Sequence, residues 1–276
     1  MTDMNGRSTS KHGGKPQSQA MRLTNGLRIT AIATGLAAVA ACAPKPVPIP
    51  PPPPPPPPVK VIPFRPLPPG GAAFVMGIPE RTPAGLRQTV NLGLSPDQTV
   101  WNFRSGWNVA ALNCTDARYS AINQAYTAYV NDHQRALAQV NTRLDAVYRS
   151  QASSSRNAII AREAVETRTY NFFSLPPARR YLCDSALVFS NEALTTPPTD
   201  PIAFAMTNFP RLEAPFERFF SDYETYELES AIWDRDYGAQ YGPGNSGWET
   251  VQRARQAGDP NVPPIPPVAP TLPAQQ

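Results

Sequence analysis

Tyr119-Ser-Ala-Ile-Asn-Gln-Ala-Tyr-Thr-Ala-Tyr-Val-Asn-Asp-His-Gln-Arg-Ala-Leu-Ala-Gln-Val-Asn-Thr-Arg-Leu-Asp-Ala-Val-Tyr-Arg149 is the most regular stretch of the chain. Tyr119, Ile122, Tyr126, Tyr129, His133, Leu137, Val140, Leu144 and Val147 recur in it at spacings of three and four. That period lines side chains along one stripe of an α-helix. The stretch therefore predicts a single helix of about 33 residues, about 50 Å long at 1.5 Å rise per residue.

The segments on either side carry the same period. Upstream, Ser95-Pro96-Asp97-Gln98 combines an N-cap serine, proline at the first helical position and glutamine at the capping-box position. Val100, Phe103, Trp107, Ala111 and Cys114 then share a face. Downstream, Gln151–Ser155 is a break, and Ala158, Ala161, Val165, Thr169 and Phe172 mark a further helix. Leu175-Pro176-Pro177 stops it and starts a fourth, because proline suits a first helical turn and expels its predecessor from the α region. That helix runs to about Leu194 with Cys183, Ala186, Leu187, Ser190 and Leu194 on one face. Thr199 or Asp200 with Pro201 opens a short helix through Met206, Pro210 closes it, and Pro215 opens a last long helix. Phe216, Phe219, Tyr223, Tyr226, Ser230, Trp233 and Tyr237 form its stripe, and a short polar helix near Trp248–Gln256 follows a Gly-rich loop. The expected fold is all-α, a small bundle of about five helices spanning residues 74–241, with Phe74–Met76 and Thr89–Leu92 as extended lead-in pieces.

Proline dominates both flanks. Residues 43–69 include the unbroken run Pro50–Pro58, which cannot donate backbone hydrogen bonds and favours polyproline II. At about 3.1 Å per residue such a spacer reaches on the order of 80 Å. Residues 42–73 are read as this spacer, with no role for Lys60 or Arg65. Residues 242–276 are read as a flexible Gly/Pro-rich tail.

Before the spacer, Arg22 and Arg28 precede the apolar run Thr30–Ala41, which ends at Cys42. The run is too short to span a bilayer and has the layout of a secretory signal. Val39-Ala40-Ala41-Cys42 resembles the lipobox of bacterial lipoprotein precursors. The resemblance covers the first sixth of the chain and implies removal of residues 1–41, a diacylglycerol thioether on Cys42 and acylation of the new amino terminus. Met21–Ala41 is a complete signal by itself, so residues 1–20 read as an upstream extension. Ala43 is not the aspartate that retains such proteins in the enteric inner membrane, so the resemblance implies an outer-membrane anchor facing the periplasm.

The chain's net charge of +4 belongs to the leader, where Arg7, Lys11, Lys15, Arg22 and Arg28 face only Asp3, and the mature chain is neutral. A nucleic-acid partner, which needs a basic face, is therefore not expected. The mature chain does divide by sign: residues 87–181 hold 11 Arg against 6 acids, and residues 182–236 hold 3 Arg against 11 acids. Mutual neutralisation of the two halves is the expectation. With Cys42 lipidated, Cys114 and Cys183 remain as an even pair in an oxidising compartment, which predicts a disulfide. His133 is the one mature histidine, too few for a structural zinc site, and no Cys-x-x-Cys occurs. No cofactor or metal is expected.

No catalytic residue is assigned. The mature chain holds no Gly-x-Ser-x-Gly, His-Glu-x-x-His or Ser-x-x-Lys. Glu224, Glu227 and Glu229 read as a solvated helix face, His133 as a packed histidine, and the aromatic stripe as core. The function expected is a non-catalytic, membrane-anchored lipoprotein that displays a helical interaction domain to an envelope protein or to peptidoglycan. A glycan-binding module is the alternative, to be told by aromatics lining an open groove, and an enzyme built on His133 is the third class, to be told by a cavity with an acid or hydroxyl beside that ring.

Overall fold

The computed structural model describes residues 61–267; Cys42, the signal segment and the run Pro50–Pro58 lie outside them. The described residues form α1 (Pro96–Asn113), α2 (Ser120–Asp132), α3 (Gln134–Gln151), α4 (Ser155–Phe173), α5 (Arg179–Thr195), α6 (Pro201–Tyr241) and α7 (Ser246–Gln256). No strand occurs among them, only an isolated bridge between Arg81 and Arg87. The fold is all-α, with seven α-helices among the described residues rather than about five.

Two expectations about helix limits change. The long stripe divides at His133 (φ −115°, ψ 20°), giving α2 and α3 in place of one helix. The physical reason is that its halves bury against different partners, α2 on α5 and α3 on α4, and one straight rod has no surface that faces both. At the bend the last bond of α2 runs from His133 N–H to the Tyr129 carbonyl and the first of α3 from Leu137 N–H to the His133 carbonyl.

The second change is at α6, which passes through Pro210 and Pro215 without ending. Pro215 lacks the N–H that would pair with the Arg211 carbonyl four residues earlier, and an unpaired carbonyl is costly. Ser185 of α5 supplies the replacement, its hydroxyl donating to the Arg211 carbonyl at 2.7 Å. The helix start read at Pro215 is thus an interior position, its unpaired carbonyl served by a neighbouring helix.

The core is aromatic. Phe103 and Trp107 of α1, Tyr129 of α2, Phe189 of α5 and Phe204 of α6 meet with ring centroids 5.2–6.3 Å apart. The buried indole of Trp107 donates to Ser190 Oγ at 3.1 Å. Gly106 lets α1 and α6 approach closely, because a Cβ there would lie 2.6 Å from Leu212 Cδ2. Ser95 caps α1 as predicted, its N–H donating to Gln98 Oε1 at 2.9 Å while its Oγ accepts from Gln98 N–H.

The folded unit is longer at both ends than residues 74–241. Prolines lack donors but keep carbonyls, and α6 presents donors to a strap formed by residues 63–94. Trp233 Nε1 donates to the Pro63 carbonyl at 2.7 Å, Tyr223 to Ala73 at 2.9 Å and Tyr226 to Phe74 at 3.1 Å. Arg65, given no role from sequence, is buried with Asp234, Nε–Oδ1 2.8 Å. Arg87 pairs with Glu217 and Glu224 of α6 at 3.1 and 2.7 Å. At the other end α7 buries Val251, and Arg235 donates to the Pro267 carbonyl at 2.9 Å. Residues read as spacer and tail are thus fastened to α6 through their carbonyls.

The Arg65 and Asp234 side chains are 2 % and 1 % exposed, and deleting one member of a buried pair leaves the other charge without solvation. Arg65→Ala is expected to cost about 3–5 kcal/mol in urea unfolding, while Arg65→Met with Asp234→Leu costs clearly less than either single change.

Candidate functional site

Helices α3 and α4 form an antiparallel arm closed by the Ser154 cap, whose Oγ accepts from Asn157 N–H at 3.2 Å. Between them and α1 opens a cleft of about 550 Å³ lined in part by Trp101, Tyr148, Ile159, Arg162, Glu163 and Glu166. Its floor is a charge network centred on Arg162. The guanidinium donates to Asp145, to Glu166 Oε1 at 2.9 Å and to Asn141 Oδ1 at 2.5 Å. Trp101 Nε1 donates to the same Glu166 oxygen at 3.1 Å. Arg104 and Arg162 lie 4.9 and 5.4 Å from the Trp101 ring centroid, a cation–π arrangement.

The floor is therefore rigid and committed internally. Ile159, 59 % exposed, with Tyr148 and Glu163 offers the mixed apolar and polar rim that holds a peptide or a sugar. Sequence reasoning placed Ile159 off the α4 stripe without giving it a use. The Trp101 ring, engaged by two arginines, is less available as a stacking platform than a bare indole.

A second, smaller cleft of about 310 Å³ is lined in part by Arg87, Asn91, Phe172, Glu213, Phe216 and Phe220. Burial pushes the Glu213 carboxyl up to about 7, against a small opposing effect from Asn91. Glu227, with which sequence reasoning grouped Glu224 and Glu229, is also pushed up to about 7, first by burial and then by the Glu224 charge. Glu224 moves the other way, held down by its hydrogen bond from Arg87. Glu213 was not singled out from sequence; the available signal was its place between buried Leu212 and buried Phe216.

Other residues singled out from sequence fall as follows. Cys114 and Cys183 are joined, with Cα atoms 5.6 Å apart, within the range a disulfide needs, tying the end of α1 to the first turn of α5. His133 is half-buried, its ring edge-on to Tyr129 at 5.4 Å, and it lines neither cleft. Phe216, Phe219, Tyr223, Tyr226 and Trp233 are buried, so that stripe is core and no sugar platform. Among the described residues no group of three or more His, Cys, Asp or Glu is placed to hold a metal ion. No helix among them is long and apolar enough to cross a membrane.

The disulfide closes a loop between residues 69 apart in sequence, worth about 4 kcal/mol in the chain-entropy description. Cys114→Ala and Cys183→Ala are each expected to lower the melting temperature markedly, and the double variant to melt close to either single one, because the pair acts as a unit.

Glu213 gives a pH prediction with a definite sign. Its folded value of about 7 exceeds its ordinary 4.5, so the folded state holds the proton more tightly. Its contribution is most favourable below about 4.5 and is lost as pH rises towards 7. Glu213→Gln should leave stability at pH 4 nearly unchanged and raise it at pH 8, as read from paired urea titrations; an equal effect at both values counts against it.

No protein-family model matches the chain, and neither a curated protein nor a solved structure matches it.

Proposed function

We propose that the chain is a lipid-anchored protein of the cell envelope whose helical domain is a non-catalytic interaction module facing the periplasm. The lipobox Val39-Ala40-Ala41-Cys42 carries this reading. The strap is consistent with it: a chain held at Cys42 enters the folded unit at Pro63 and Arg65, where Trp233 and Asp234 grip it. Force on the anchor is then borne by a buried ion pair and by carbonyl hydrogen bonds to α6. Ala43 after the lipidated cysteine favours the outer membrane. The bound partner is an envelope protein, received on the α3–α4 arm, where Ile159 and Tyr148 present the apolar contact and Glu163 the polar rim.

The presence of Tyr148 in that open cleft favours a second reading, a peptidoglycan-binding module. Aromatic faces suit sugar rings and the polar rim suits the stem peptide.

The anchor is tested by Cys42→Ser. The wild-type chain is expected in the membrane fraction and labelled by a palmitate analogue, the variant unlabelled and either released or unprocessed, since stable anchoring takes more than one acyl chain. Equal labelling of both overturns the reading. In the same strains, a photocrosslinker at position 159 should trap one discrete envelope protein, whereas co-sedimentation with purified peptidoglycan, abolished by Tyr148→Ala, selects the second reading.

A further inference from the structure

We propose that the groove at the disulfide end of the domain is a phosphate-binding site, formed by Arg118, Arg179 and Arg180. The groove measures about 430 Å³ and is also lined by Asp116, Tyr119 and the two bonded cysteines. That volume holds a phosphate with a glycerol- or sugar-sized substituent.

Charge is the first argument. Three guanidiniums line the groove against one carboxylate, Asp116. Asp116 reaches only Arg118, at 3.8 Å, and both side chains are largely exposed. Asp184 stands beside the groove, but its carboxylate accepts the Tyr119 hydroxyl at 2.5 Å. Among the described residues Arg179 and Arg180 have no carboxylate at ion-pairing distance, unlike Arg81, Arg87, Arg143, Arg162 and Arg211. Three cations thus face two acids here, and the groove keeps a net positive charge.

Position is the second argument. Arg179 and Arg180 occupy the first two positions of α5, which has no acidic residue in its first turn and no side-chain cap. Cations at the positive end of a helix dipole repel it, and the two repel each other and Arg118. Asp116 and Asp184 offset this arrangement only in part, and an anion seated among the three would offset the rest. Guanidinium forks match phosphate oxygens in pairs.

Shape is the third. The groove walls are preformed. The disulfide ties α1 to α5, and Gly70, at φ +61°, lets the strap lie against the turn before α5, where a Cβ would come 2.2 Å from the Pro177 carbonyl oxygen. The backbone positions from which the three arginines reach the groove are thus fixed before an anion binds.

The inference does not depend on the lipobox, and its test runs on the purified mature chain with its disulfide intact. Inorganic phosphate and glycerol phosphate, titrated calorimetrically, should bind, and binding should weaken steeply between low salt and about 0.5 M NaCl. Arg179→Gln with Arg180→Gln should weaken it by about tenfold or more. The control Arg135→Gln with Arg156→Gln removes two exposed arginines elsewhere and should change nothing. Flotation with phosphatidylglycerol vesicles, against phosphatidylcholine, tells whether the phosphate is a lipid headgroup: flotation lost in the Arg179/Arg180 variant assigns a headgroup, and soluble binding without flotation assigns a free phosphate compound. No phosphate binding, unchanged binding in the Arg179/Arg180 variant, equal loss in the control, or equal competition by acetate overturns the proposal. Circular dichroism of each variant checks that the fold is kept.

Discussion

Helix α6 stays continuous through Pro215 because Ser185 of α5 donates to the Arg211 carbonyl that the proline leaves unpaired, and the rest of the molecule is assembled on that continuity. A helix broken there would separate Phe204, which belongs to the aromatic core with Phe103 and Trp107, from Tyr223, Tyr226, Trp233 and Asp234, which grip the strap. One rod 41 residues long instead joins the core to the strap and to the segment that reaches Pro267. Proline disfavours a helix interior by about 3 kcal/mol, and here the neighbouring hydroxyl offsets part of that loss.

The same asymmetry of proline explains the strap. A segment rich in proline is poor in N–H groups and rich in carbonyls, so it cannot build its own ladder but can be fastened by donors from elsewhere. Trp233, Tyr223, Tyr226 and Arg235 of α6 are those donors, reaching the carbonyls of Pro63, Ala73, Phe74 and Pro267. For a chain proposed to be held at its amino terminus, this turns the end of a tether into part of the fold.

Charge is arranged less simply than the sign division along the chain suggests. Ion pairs between the two halves are confined to Arg87 with Glu217 and Glu224. Arg143 and Arg162 pair within the basic half, and Arg211 within the acidic one. Arg179 and Arg180 lie beside the disulfide without an ion-pairing carboxylate, where the proposed phosphate site lies, and two carboxyls of the acidic half, Glu213 and Glu227, are buried far enough to shift towards neutral pH.

The sequence by itself determined what depends on local chemistry: the all-α class, from the three-four period; the Ser95 cap and the start of α1, from the capping box; the pairing of Cys114 with Cys183, from cysteine count and stripe position; and the burial of the Phe216–Trp233 stripe, from its aromatic spacing. The tertiary structure alone decided what depends on a partner distant in the chain. The helix expected over 119–149 bends at His133 because its two halves face different helices. The helix start expected at Pro215 becomes an interior position of α6, where Ser185, 26 residues from the carbonyl it serves, supplies a donor. Arg65 acquires a role through Asp234, 169 residues away. The clefts are of the same kind: Glu213 shifts by burial, and the Arg162 floor and the Arg118, Arg179 and Arg180 groove arise from residues brought together across helices, because burial and charge proximity are properties of packing rather than of spacing along the chain.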